Sequence, residues 1–169
     1  MIRLAAIEDA EAIASVHVRT WQVAYEGIVP PEYLASLSIL ERANMWRRVV
    51  SEKRNTVLVA STSSGEVGFI SFGPSREKDV KEKAEVYAIY VLAQFWNQGI
   101  GGELLEEAEQ RLADFAAVRL WVLEKNAIGR RFYEARGFSY DGTRKEEAIG
   151  GSLLTELRYE KRLGRREIL

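Results

Sequence analysis

Residues 85–105 read EVYAIYVLAQFWNQGIGGELL, and this stretch decides the fold. Residues 86–92 are β-branched, aromatic and aliphatic, the composition of a strand. A short polar turn follows, with glycine at Gly99, Gly101 and Gly102. From Ile100 onward, Leu104, Leu105, Ala108, Leu112 and Phe115 recur at the spacing of one buried helical face. The order is strand, glycine turn, helix. The first N–H groups of a helix have no partner within it and the positive end of its dipole lies behind them, so such a turn is a seat for an anion such as phosphate. Two frequent phosphate-binding turns do not fit. A dinucleotide turn wants a third glycine at position 104, where Leu104 stands, and a nucleoside-triphosphatase loop wants Lys and Ser or Thr where Glu103 and Leu104 follow Gly102.

The 169 residues suit one domain, 1–169, large enough to bury a core without crosslinks. There is no cysteine, which excludes disulfides, thiolate metal sites and a thiol nucleophile. The single histidine, His17, makes a histidine metal cluster or a Ser-His-Asp triad a poor expectation, and no metal is expected. Chemistry must rest on carboxylate, phenol, hydroxyl or backbone groups. With 24 Lys and Arg against 25 Asp and Glu, the chain lacks the basic excess that nucleic acid or an anionic membrane would call for. No basic segment followed by an apolar core opens the chain and no run of eighteen apolar residues occurs, so a cytoplasmic protein is expected.

Outward from the central stretch, residues 2–4 can form a short strand and 7–25 a helix. Glu8, Asp9 and Glu11 lie in that helix's first turn, and Ile13, Val16, His17, Trp21, Ala24 and Tyr25 share a face. His17 on this face reads as packing. Gly27 and Pro30-Pro31 break the helix, 31–37 predicts a short one with proline first, and 39–50 continues at helical spacing. The period then changes to two at 56–61 and 67–72, with Ser63-Ser64-Gly65 as hairpin turn. Residues 73–83 are charged and read as an exposed loop or an acceptor-facing lip. Beyond the central helix come a strand at 118–123, a helix at 126–135 stopped by Arg136-Gly137, and a hairpin of 138–147 and 152–162 turning at Gly150-Gly151. The sequence of elements, β, α, α, β, β, β, α, β, α, β, β, is a mixed α/β plan of α+β type around one sheet.

The turn Trp96, Asn97, Gln98, Gly99, Ile100, Gly101 resembles the acyl-CoA-binding signature of the GCN5-related N-acetyltransferase (GNAT) superfamily, Gln or Arg, two residues, Gly, any residue, Gly or Ala, with Trp in the first place. The run from Asn126 through Gly129, Phe132, Tyr133, Gly137 and Phe138 resembles the family's second signature, N-x-x-A-x-x-F-Y-x-x-x-G-F. The segment 21–34 is similar to the head of many bacterial members, so the resemblance covers nearly the whole chain. It implies a mostly antiparallel, splayed sheet flanked by helices, with acetyl-CoA as co-substrate. It further implies a pantetheine arm along Ile89, Tyr90 and Val91, and a diphosphate on the amides of Asn97, Gln98, Gly99, Ile100, Gly101 and Gly102. Gln98 can add a side-chain donor, Trp96 brings no charge on its side, and Asn126 both caps its helix and meets the cofactor arm.

Moving an acetyl group from a thioester to an amine needs a neutral amine, a stabilised tetrahedral oxyanion and a proton for the departing thiolate. The base is a nearby carboxylate or a water chain; by the resemblance Glu85 takes the amine's proton directly or through water, the Val91 N–H polarises the carbonyl, and Tyr133 protonates the sulfur. Trp21 and Tyr25 would wall the acceptor pocket. The expected activity is direct attack of a primary amine on acetyl-CoA, and the rival class is a non-catalytic acyl-CoA-binding module of the same fold. The acceptor, a small molecule or a peptide amine, is not legible, and a homodimer is compatible with the sequence.

Overall fold

Val57, Leu58, Val59 and Ala60 are all buried, an unbroken apolar run that a strand carries only when both its faces are covered. The computed structural model describes residues 1–77 and 82–164, so 78–81 of the expected 73–83 loop lie outside the described residues. In it, β1 (Ile2–Leu4) precedes α1 (Ala10–Ala24), α2 (Pro31–Ser36) and α3 (Ile39–Glu52). The strands β2 (Thr56–Thr62), β3 (Gly65–Pro74) and β4 (Lys83–Val91) lead to α4 (Ile100–Arg111), β5 (Ala117–Leu123) and α5 (Ala127–Glu134), and β6 (Ser139–Ile149) and β7 (Ser152–Arg162) close the chain of elements. One seven-stranded sheet results, in the order β1-β2-β3-β4-β5-β7-β6. Every neighbouring pair is antiparallel except β4 and β5, whose connection through α4 allows parallel pairing.

Alternation along the strands sorts two cores. Val57, Val59 and Phe69 pack with Ile13, Val16, Ala43 and Trp46 of α1 and α3. Leu58, Ile70 and Phe72 pack on the other face with Leu104, Leu105 and Ala108 of α4. A third cluster, Val29, Leu34, Leu123 and Leu154, ties the segment after α1 to the ends of β5 and β7.

The element order matches the expectation, with local differences that have physical causes. The expected 7–25 helix opens as a 3-10 turn, Ile7–Asp9, because the Asp9 carboxylate accepts from Ala6 N–H at 2.7 Å and from both ends of the Arg3 fork at 2.7 and 2.9 Å. Gly65 belongs to β3 at φ +97, leaving Ser63-Ser64 as the turn. Gly150 and Gly151 take φ +60 and +83, the positive values that a two-residue hairpin turn requires.

The parting of β4 from β5 sets up everything that follows. They pair at only three positions, Lys83 with Ala117, Ala84 with Val118 and Glu85 with Arg119, after which each strand runs on alone along that edge. On its other side β4 stays paired with β3, but the register slips so that Ser71 faces Ala88 and Phe72 faces Val86, leaving Tyr87 as an extra residue. Such a bulge increases local twist and bends its strand. It also changes the alternation: Val86 and Ile89 both belong to the α4 face, and Tyr90 to the α1 face.

His17 sits in the α1 core, as the sequence suggests. Its Nδ1 accepts from Trp46 Nε1–H at 3.1 Å, and its ring stacks on Tyr90 at 5.3 Å. Burial, with a smaller contribution from Arg42, lowers its pKa to about 4. The folded chain thus refuses a proton that the unfolded chain takes up below about pH 6.5, so stability that is whole above that value is lost as pH falls toward 4. Between pH 7.5 and 4.5 the urea-unfolding free energy of the wild type is expected to fall by roughly 2–3 kcal/mol more than that of His17→Phe. Parallel profiles for the two proteins would show that His17 titrates normally.

Candidate active site

Two cavities meet where β4 and β5 part. One, of about 570 Å³, lies between β4, the turn after it, the start of α4 and α5. The other, of about 460 Å³, lies on the α1 side and is bounded by Trp21, Tyr33, the end of β5 and the β6–β7 hairpin. Tyr25 and Tyr90 line both.

The first cavity gathers Ile89, Tyr90, Val91, Trp96, Asn97, Gly99, Ile100, Gly101, Gly102, Asn126 and Tyr133, nearly all the residues expected to meet a cofactor. Asn97 at φ +60 and Gly99 at φ +86 turn the chain into α4. The first bond of the helix runs from Glu103 N–H to Gly99 C=O at 3.0 Å, and the N–H groups from Asn97 to Gly102 have no acceptor among the described residues. They form an open anion seat at a helix start. Gly101 is held close to α5: a Cβ there would lie 3.1 Å from the Phe132 ring.

Three side chains depart from expectation. Gln98 turns back to donate to Gln94 C=O at 3.1 Å, so it is not the donor expected at the turn. The indole of Trp96 does not fold over the turn amides; its Nε1–H donates to Val91 C=O at 2.6 Å. Arg136, which the sequence offers only as the basic end of a helix, lies where a Cβ on Gly102 would come within 2.9 Å of its guanidinium. It stacks on Phe132 at 3.9 Å and donates to Phe132 C=O at 3.0 Å. Arg136, just past the end of α5, thus brings a positive charge beside the turn. The signal was there in the second signature, whose helix end packs over the start of α4.

Asn126 accepts from Gly129 N–H at 3.0 Å, the cap predicted for it. Gly129 is needed because a Cβ there would fall 2.5 Å from the Asn126 amide. Tyr133 sits on α5 between the rings of Phe132 and Phe138, and its burial, with Tyr90 nearby, pushes the phenol well above the ordinary value. Ordinary values already place full transfer from a phenol to a thiolate about 1.5 units uphill. The hydroxyl is thus suited to hold its proton and donate a hydrogen bond to sulfur as charge develops there.

Glu85 and Trp21 line the second cavity, away from Tyr133. Glu85 is buried, and Arg76 binds both its oxygens, through backbone N–H at 3.1 Å, Nε at 3.0 Å and Nη2 at 2.5 Å. Glu147, Glu156, Lys145 and Trp121 complete its polar wall, none of them marked by the sequence signatures. All but Trp121, which lies on β5, come from the β6–β7 hairpin, whose contribution is set by tertiary packing. His17 lines neither cavity.

An anion seat and a free strand edge lie end to end, which suits a long thioester carrying phosphate at its far end. The family model for the acetyltransferase (GNAT) family matches residues 11–138. An uncharacterised N-acetyltransferase of Bacillus subtilis, YuaI, is 38% identical over 74% of this chain and 72% of its own length. The spermidine N(1)-acetyltransferase of Thermoplasma acidophilum is 28% identical over 94% of this chain and 97% of its own. Among solved structures, the PaiA N-acetyltransferase of the same organism in complex with coenzyme A superposes with a TM-score of 0.72 at 30% identity, covering 96% of this chain and 98% of that one. The chain belongs to the GNAT family. It is an enzyme that transfers an acetyl group from acetyl-CoA to an amine. Among the described residues no cluster of His, Cys, Asp or Glu could hold a metal ion, and no helix is long and apolar enough to cross a membrane.

Removing the cation at the anion seat should weaken cofactor binding without disturbing the amine side. Arg136→Ala is expected to raise the Kd for CoA roughly tenfold, about 1.4 kcal/mol, in calorimetry at low salt, with a smaller difference at high salt. An unchanged Kd at both ionic strengths would remove Arg136 from the diphosphate site.

Proposed function

We propose that residues 1–169 act as one acetyltransferase domain whose second cavity receives a cationic primary amine, a polyamine such as spermidine being the favoured acceptor. The observation that carries this is the composition of that cavity. Glu85, Glu147 and Glu156 stand against Arg76 and Lys145, an excess of negative charge within walls of Trp21, Tyr25, Tyr33, Tyr87, Tyr90 and Trp121. Aromatic faces and an excess carboxylate favour an ammonium over an anion or a neutral acceptor. The similarity to a relative named for acetylating spermidine supports the same class.

In this reading the pantetheine arm lies along Ile89, Tyr90 and Val91, and its diphosphate is held by the amides of Asn97 to Gly102 and by Arg136. The amine enters from the second cavity and attacks the thioester directly where Tyr25 and Tyr90 join the two. Val91 N–H polarises the thioester carbonyl and Tyr133 donates to the departing sulfur.

Release of free thiol from acetyl-CoA in the presence of a panel of amines tests the reading, with turnover expected on di- and polyamines above neutral or anionic acceptors. Tight CoA binding without thiol release on any amine would mark a binding module instead. Tyr133→Phe is expected to lower kcat on the order of 10²-fold with KM for acetyl-CoA little changed, since the hydroxyl acts as sulfur acquires charge. An unchanged kcat would move the donor elsewhere.

A further inference from the structure

We propose that Glu156 is the residue that accepts the proton of the attacking amine, with Glu85 serving to hold Arg76 in place. The inference rests on the reading above, in which the amine arrives through the second cavity. Three observations carry it.

The first is position. Glu156 stands on β7 opposite Leu123, the last residue of β5, and opposite Lys145 of β6. That is the open end of the wedge, and Glu156 shares its cavity with Tyr25 and Tyr90, the two residues that also line the cofactor cavity. Glu85 stands at the closed end, at the last of the three β4–β5 pairs.

The second is availability. Glu85 has Oε2 bound by the Arg76 guanidinium and Oε1 by the Arg76 backbone N–H, so an incoming proton must compete with contacts already made. Among the described residues the one ion-pair and hydrogen-bonding partner of Glu156 is Lys145, at a long 3.5 Å. The Lys145 ammonium is meanwhile held 4.3 Å above the Trp121 ring. A partly enclosed carboxylate with its oxygens nearly free is what an incoming ammonium would bind.

The third is electrostatics, which supports the geometry. Burial raises the Glu156 pKa, opposed by Lys145 and Arg76 and reinforced by Glu147. The groups that face it are thus Lys145 and Glu147 from β6 and Arg76 from the loop after β3, together with Tyr25 just past α1 and Tyr90 of β4, whose phenols its charge helps to raise. A carboxylate with a raised pKa is a better proton acceptor than an ordinary one.

The step balances as follows. The ammonium gives one proton to Glu156, directly or through a water, and its freed lone pair forms the C–N bond at the thioester carbonyl. The C–S bond breaks, Tyr133 donates to the sulfur, and the second proton lost by the nitrogen ends on the thiol. The proton on Glu156 passes to solvent. The products are an acetamide and free thiol, with one proton released for each ammonium consumed.

Thiol release from acetyl-CoA with spermidine, followed from pH 6 to pH 10 in the full-length protein, separates the roles. Glu156→Gln is expected to lower kcat on the order of 10²-fold at pH 7 with KM for acetyl-CoA unchanged. The deficit should shrink as pH approaches the amine's own pKa of about 10, because solvent then supplies neutral amine. Glu156→Asp should recover part of the rate, and calorimetry with CoA should show that Glu156→Gln retains its fold. An unimpaired kcat in Glu156→Gln, or a loss confined to KM for spermidine, would overturn the assignment. So would the same pH-dependent deficit appearing in Glu85→Gln instead. A wild type that turns over while Glu156→Gln keeps its kcat defeats this inference alone; a wild type that releases no thiol with spermidine or any primary amine defeats the underlying reading as well.

Discussion

The molecule depends on two neighbouring strands failing to stay neighbours. β4 and β5 share three residue pairs and then separate, which leaves backbone groups along both edges without the partners a sheet would give them. Lost pairing of buried backbone is costly, so the separation must be held by something stronger nearby. At the closed end, Glu160 bridges Lys83 and Arg119 at 2.8 and 2.7 Å, and Glu77 bridges Arg119 and Arg158 at 3.2 and 2.5 Å. Arg119 is itself buried, so these charges cannot be relaxed by water without cost. Above this knot the Tyr87 bulge bends β4 away, and large side chains on both strands, Tyr90 and Trp121, fill the space where pairing would have continued.

Two chemically different halves follow from that geometry. The first cavity is built by residues close in the chain, from β4 to just past α5, and its lining is mostly backbone: free amides, a strand edge and a helix start, with Arg136 and Tyr133 beside them. The second cavity is assembled from α1, the segment around Tyr33, the loop after β3 and the β6–β7 hairpin, and its lining is side chains, carboxylate and aromatic. The hairpin tip is fixed against Tyr33, since a Cβ on Gly150 would fall 2.5 Å from the Tyr33 Cβ. One half is therefore free to change its charge while the other keeps its turn.

This division explains what could be read in advance. The glycine turn is a local pattern with a mechanical cause, so the helix start and the cap at Asn126 followed from the residues themselves, whereas the role of Tyr133 was offered only by the family resemblance. Glu85 and Tyr90 are five apart and by strict alternation would stand on opposite faces; the bulge at Tyr87, which no residue type announces, puts them in the same cavity. The Arg76 fork on Glu85 joins a loop residue to a strand residue, and loop conformation is not written in periodicity. Arg136 and Glu156 were visible as charges but not as neighbours of the site, because their positions depend on how α5 packs on α4 and on the register of β7 with β5.

Trp96 occupies the one place where the chain leaves the family's turn pattern, and its indole bonds the Val91 carbonyl. A bare strand edge in a protein surface is a template on which any extended segment of another chain can zip. The indole acts as a stopper in that edge. The chain thereby keeps an adhesive stretch of its own backbone plugged with its own side chain.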